Sequence, residues 1–212
     1  MISICLMPVR LVKQFIGLLN KNQILPGTMT RIRLELAGDI NPLTGLSGNI
    51  ALEQELRRRI AEKVPFCVVY VSLPHKMCRQ KYGLSGGNRI ILFAARLLAN
   101  ILKKYGGEKD FLAHIKGDNF IAIIEKERID SFCERTVKSY DSLIMSLTEQ
   151  EKRKTNRNLA YEQEDPPFLS MYVIDCGMGE RINLKVISKK VEQLKNYSRS
   201  TQGSVWIHEP AN

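Results

Sequence analysis

The sequence predicts an α+β fold in which a buried sheet is covered by helices, and three observations carry that prediction. Two runs, FCVVYVSL at 66–73 and FLSMYVIDC at 168–176, are β-branched and aromatic with little polar alternation, the pattern of buried strands. Segments with apolar residues at helical spacing lie on either side of them. A pair of short apolar runs, FLAHI and NFIAIIE, brackets Lys116, Gly117 and Asp118, the signal of a β-hairpin that exposes Asp118. The predicted order is helix, strand, helix, hairpin, helix, strand, helix, strand, with no internal repeat.

The first element is an amphipathic helix over 9–21, where Leu11, Phe15, Leu18 and Leu19 share a face. Pro26 and Gly27 end it, and residues 1–40 read as a helical lead and linker to a domain at 41–209. Asn49 suits an N-cap for the helix IALEQELRRRIAEK, with Ile50, Leu52, Leu56 and Ile60 as its apolar stripe, and Pro65 stops it. After the first buried strand, PHKMCRQKYGLSGGN reads as a polar, basic loop feeding the helix RIILFAARLLANILKKYG, which ends at Gly106 and Gly107. Beyond the hairpin a helix is expected from about Ile129 to Leu147, then a charged, exposed excursion, EQEKRKTNRNLAYEQEDPP. The second buried strand follows, then a helix with Val186, Val191 and Leu194 inward. SVWIH closes the domain as a short strand, with Trp206 in core or edge packing.

Composition bounds the function. The chain has 212 residues, 44% hydrophobic and 25% charged, which excludes a disordered or collagen-like chain. Its net charge of +10 suits phosphates, nucleic acid or acidic proteins as partners, and equally suits plain solubility. The 5 cysteines are widely spaced, with no Cys-x-x-Cys pair, so neither a zinc ribbon nor disulfide exchange is indicated. Cys67, within a buried strand, reads as a small hydrophobe. His75, His114 and His208 are too dispersed in sequence to suggest a metal set, and His114 on its strand reads as structural. No stretch reaches the ~20 apolar residues of a membrane span, and no signal-peptide cleavage pattern follows the N-terminal segment, so a cytoplasmic protein is expected.

Four strings, NPLTGLSGN at 41–49, YGLSGGN at 82–88, HIKGDNF at 114–120 and LKNYSRSTQGSVW at 194–206, occur in an order that resembles the GGDEF domain, the diguanylate cyclase module of bacterial cyclic di-GMP signalling. The resemblance implies a ferredoxin-like, nucleotidyl-cyclase fold with a mostly antiparallel central sheet flanked by helices. It also implies where the chemistry would sit. Making cyclic di-GMP requires divalent metal to activate a ribose hydroxyl and offset charge at a phosphate, and in the family that metal takes carboxylates from the first strand's end and from the signature turn. Here those positions hold Ser72, Asp118 and Asn119, one carboxylate of three. Asp118 reads equally as a plain turn residue. Lys116 replaces the first glycine of the turn.

The guanine-reading positions fall on Arg79 and Asn88. Asn88 lacks the ionised carboxylate that would accept both guanine N–H groups, and it also suits a helix N-cap. Arg79 favours an anion over a base edge. Arg199 stands where the family often has a phosphate-contacting lysine, and reads equally as a solvated helix end. The Arg-x-x-Asp feedback site becomes Gly107 to Asp110, without its arginine. The resemblance therefore implies a degenerate GGDEF domain, catalytically inactive, with no bound cofactor or metal beyond weak magnesium accompanying a nucleotide. Its expected partner is another signalling protein or domain, with GTP or another anionic nucleotide, or a second copy of the chain, as further candidates; nucleic acid is not expected. The alternatives are residual nucleotidyl transfer resting on Asp118, and non-catalytic binding of an anionic nucleotide by Arg79, Asn88, Lys116 and Arg199.

Overall fold

The continuous apolar run at the centre of the sequence becomes the centre of the sheet. In the computed structural model, which describes residues 38–154, 166–177, 182–195 and 203–209, the elements are α1 (Asn49–Glu62), β1 (Phe66–Ser72), α2 (His75–Tyr105), β2 (Phe111–Lys116) and β3 (Asn119–Glu125). A short 3-10 turn (Lys126–Arg128) leads into α3 (Ile129–Lys154), β4 (Ser170–Cys176), α4 (Leu184–Lys195) and β5 (Val205–His208). The strands form one 5-stranded sheet in the order β2-β3-β1-β4-β5. β1 is antiparallel to both neighbours, β2 and β3 make the expected hairpin, and β5 joins β4 in parallel. The fold is thus the α+β arrangement expected, a mostly antiparallel sheet with helices on both faces.

Alternate residues of β1 supply two cores, as the period-2 geometry of a strand requires. Cys67, Val69 and Val71 pack under α2 and α3 with Ile90, Leu98, Phe132 and Tyr140. Phe66 and Val68 face the other way, against Leu52 and Leu56 of α1 and Ile187, Val191 and Leu194 of α4. In α4 the inward residue of the first turn is Ile187, with Val186 only partly buried.

Several local expectations are corrected. The stripe of α1 is out of phase: Ile50 and Ile60 are exposed, while Glu55 and Arg59 are buried beside Leu52 and Leu56. At ~100° per residue, 52, 55, 56 and 59 share one face and position 50 lies on the opposite one. The two buried charges neutralise each other, Arg59 Nε donating to Glu55 Oε1 at 2.7 Å, and the same guanidinium also donates to the carbonyl of Lys109. Asn49 is not the cap of α1. Gly48 is the N-cap residue, and the Asp39 carboxylate reaches across to accept from Ile50 N–H (3.1 Å) and Ala51 N–H (2.8 Å). Only glycine fits at 48, because a Cβ there would lie 2.5 Å from Asp39 oxygens.

The loop expected after β1 is helical instead: α2 starts at His75 and is broken only at Gly83, whose φ 72, ψ 179 is open essentially to glycine alone. Likewise α3 runs on to Lys154, so the charged stretch begins as helix; its residues 155–165 lie outside the described residues, as does the N-terminal helix expected over 9–21. Among the described residues no helix is long and apolar enough to cross a membrane.

The cap assignment has a direct consequence. Asp39→Ala should destabilise the domain by about 0.5–2 kcal/mol in urea unfolding, whereas Asn49→Ala should change it little. Gly83→Ala should cost about 1–3 kcal/mol, because alanine must hold a backbone conformation it disfavours.

Candidate functional site

The hairpin between β2 and β3 closes in the fewest residues a ladder allows. Lys116 pairs with Asn119, leaving Gly117 and Asp118 as the loop, and Gly117 takes φ 60. A positive φ at the first central residue only is the pattern of a type II′ turn, which favours glycine there. On the other side of β3, Asn119 pairs with Ser72, the last residue of β1, and Leu73 N–H donates to the Asp118 carbonyl at 3.2 Å. The structure therefore brings Ser72, Asp118 and Asn119 together at one end of the sheet. The Asn119 amide is already committed, its Nδ2 donating to the Lys116 carbonyl (3.1 Å) and to Asp118 Oδ1 (3.0 Å). Lys116 is exposed beside them.

His114 holds this turn to the NPLTGL loop, and sequence spacing gave only a general structural role for it. Its Nε2 lies 2.9 Å from the Gly117 carbonyl and its Nδ1 lies 3.0 Å from Thr44 Oγ1. A carbonyl can only accept, so Nε2 carries the proton and, in the neutral ring, Nδ1 accepts from the Thr44 hydroxyl. The ring is 2% exposed and stacks on Phe120 at 4.5 Å. The loop is shaped from within by Asn41, whose Oδ1 accepts from Leu43 N–H and Thr44 N–H, and by Gly45 at φ 72. His114 N–H donates to the Ser47 carbonyl at 2.8 Å, which locks the same loop to the edge strand.

Arg79 and Asn88 lie on the two helical segments that meet at Gly83. A Cβ on Gly87 would fall 2.9 Å from Arg79 Cγ, so the arginine stem rests on the residue next to Asn88. Asn88 sits inside α2, not at its N-cap, because the helix begins 13 residues earlier at His75. Arg199 lies outside the described residues.

At the other end of β2, Asp110 has a different occupation from that of a ligand-binding carboxylate. It accepts from Gly107 N–H (2.8 Å) and Glu125 N–H (3.2 Å), with Arg128 Nε at 3.6 Å, and its side chain is 1% exposed. The guanidinium of Arg128 lies where a side chain at 107 would begin, since a Cβ on Gly107 would meet it at 1.9 Å. Glycine at 107 thus leaves room for the Arg128 guanidinium, the end of a flexible side chain that is 34% exposed, a contact that motif spacing alone does not reveal.

Residues 39–159 match the family model described as diguanylate cyclase, GGDEF domain. The chain belongs to the GGDEF family. The fold agrees: the coiled-coil and GGDEF domain of DgcB from Caulobacter crescentus, solved with c-di-GMP, is 16% identical at TM-score 0.64, covering 94% of this chain and 97% of that one. Diguanylate cyclase SiaD from Pseudomonas aeruginosa, solved with its activator SiaC, is 16% identical at TM-score 0.62, covering 94% and 70%. The GGDEF domain of FimX from Pseudomonas aeruginosa is 17% identical at TM-score 0.54, covering 81% and 99%. No curated protein matches the sequence.

In this GGDEF domain the signature turn depends on a neutral histidine. Burial lowers the His114 pKa below its ordinary 6.5, partly offset by the Gly117 carbonyl and by Asp118. Because the folded-state pKa is depressed, the stabilisation is present above the unfolded value of about 6.5 and is lost as pH falls. Denaturant unfolding between pH 7.5 and 5 should show wild-type stability falling on acidification, with a shallower fall in His114→Gln.

Proposed function

We propose that this GGDEF domain is catalytically inactive and acts as a signalling module through protein contacts. The observation supporting this reading is the donor set at the turn, where Ser72, Asp118 and Asn119 meet: a hydroxyl, one carboxylate and an uncharged amide. Magnesium keeps its waters reluctantly exchanged and favours anionic oxygens, and one carboxylate beside the Lys116 ammonium offsets little of a dication's charge. The residues present do not fit the family's metal site, so no catalytic step is derived through it. SiaD, of like fold, is solved with an activator protein bound.

A second reading, binding of an anionic nucleotide without chemistry, is favoured by one placement. Arg79 rests against Gly87, next to Asn88, and both Arg79 and Lys116 are exposed. Calorimetry with GTP at two salt concentrations tests it. Salt-sensitive binding lost in Arg79→Ala supports it, and absence of binding removes it.

The inactive reading predicts that the purified chain, incubated with GTP and magnesium or manganese, yields no cyclic di-GMP above the level of Asp118→Ala by liquid chromatography and mass spectrometry. Product formed by the wild type and abolished in Asp118→Ala would restore the enzyme.

A further inference from the structure

The opposite end of β1 carries a second convergence of chemistry. Cys67 pairs directly with Asp175 of β4, and β5 places His208 beside Val173, two residues before Asp175. One ligand atom from each residue, the thiol sulfur, a carboxylate oxygen and an imidazole nitrogen, lies within 4.8 Å of the others. Cys67 Sγ donates to Asp175 Oδ1 at 3.0 Å, and His208 Nε2 lies 3.0 Å from that same oxygen. Cys67 is therefore more than a small hydrophobe, and the dispersal of the histidines in sequence is undone for one of them by the sheet. Five residue steps of β1 separate Cys67 from Ser72, about 17 Å along an extended strand.

The arrangement is wrong for nucleophilic catalysis. The carboxylate lies between thiol and imidazole, so the imidazole does not touch the sulfur, and burial followed by the contact with Asp175 pushes the thiol pKa far up. It is well suited to a different task. Thiolate, imidazole and carboxylate are the donors that zinc takes, commonly three protein ligands with a fourth position left to water. Tetrahedral ligands at ~2.0–2.3 Å from the ion stand roughly 3.5 Å apart. The two 3.0 Å contacts to Asp175 would need to open by about half an ångström, with the sulfur and the imidazole nitrogen, within 4.8 Å of each other, settling near the same spacing. Cys67 is buried, but the Asp175 and His208 side chains are 37% and 32% exposed, which gives an ion a way in. Lys126 Nζ, at 3.3 Å from Asp175 Oδ2 and itself 56% exposed, is a cation already drawn to the same carboxylate. It can swing out to solvent when a dication replaces it.

We infer that Cys67, Asp175 and His208 form a site for a borderline-soft divalent cation of the zinc type, at the end of the sheet remote from the signature turn. Binding breaks the S–H bond of Cys67 and forms a metal–sulfur bond, with that proton released to solvent; the proton of His208 Nε2 moves to Nδ1 by way of solvent so that the Nε2 lone pair faces the ion, and no oxidation state changes. The site needs none of the residues at the signature turn, so it stands whether or not that turn is active.

Cobalt(II), a spectroscopic substitute for zinc, is titrated into the reduced full chain. The expected result is one cobalt per chain, with a thiolate-to-cobalt charge-transfer band and the visible bands of tetrahedral cobalt, both bleached by added zinc. Cys67→Ser should abolish the charge-transfer band. His208→Ala, at a half-exposed side chain that leaves the core intact, should weaken cobalt binding by at least roughly 10-fold, the lower end of what outer-shell changes alone produce. Its circular dichroism should remain native. Absence of the sulfur band in the wild type, its persistence in Cys67→Ser, or unchanged affinity in a folded His208→Ala would overturn the site and leave the three side chains as a hydrogen-bonded cluster.

Discussion

The register of β1 between β3 and β4 is the constraint from which both ends of this domain follow. Each of its residues from Phe66 to Ser72 pairs on both sides, Phe66 with Glu125 and Cys176, and Ser72 with Asn119 and Ser170. A slip of one residue would turn Val69 and Val71 out of the core under α2 and α3 and swap the two apolar sets, so burial on both faces fixes the alignment. Once it is fixed, Ser72 must stand beside Asn119 and Cys67 must stand beside Asp175. Neither juxtaposition depends on long or mobile side chains.

What was legible in the sequence follows the strength of that burial. β1, β4 and the hairpin could be read because their apolar runs are continuous and the turn carries glycine at the position that needs positive φ. Less legible was α1, where Leu52 and Leu56 are right but the buried arc is completed by Glu55 and Arg59, a pair that periodicity of apolar residues assigns to solvent. Their burial is eased because they pair with each other, Arg58 also donates to Glu55, and Arg59 also meets a carbonyl, which is a tertiary fact. The segment 75–82 was misread for the opposite reason. Its polar composition suggested a loop, yet Cys78 and Tyr82 are buried and anchor it as helix, and Gly83 absorbs the break.

At the signature turn the residue types were legible and their commitments were not. Asn119 and Asp118 were expected near Ser72, but that the Asn119 amide binds its own turn, or that His114 ties Gly117 to Thr44, depends on distances no motif encodes. The same holds for Asp110 and Gly107. Their spacing suggested the remains of a ligand site, whereas the carboxylate closes the approach to the hairpin and the glycine makes room for Arg128. These hydrogen bonds hold the turn and its flanks rigid, a service to the fold that residue types alone do not disclose.

The electrostatics of the two sheet ends differ in kind. At the turn, Lys116 is exposed and His114 is buried, its pKa held below the ordinary 6.5 by that burial. At the far end, burial by itself would raise the Asp175 carboxyl, yet hydrogen bonds from Cys67 and His208 and the Lys126 ammonium outweigh it and hold the pKa at about 2. That carboxylate is ionised throughout the physiological range and has drawn three donors around it. A group this strongly counter-charged by weak, exchangeable partners is one that a single dication can satisfy more fully, taking the place of a mobile lysine and a thiol proton at once. The cation site inferred for this domain therefore stands at the end of β1 opposite its family's catalytic motif.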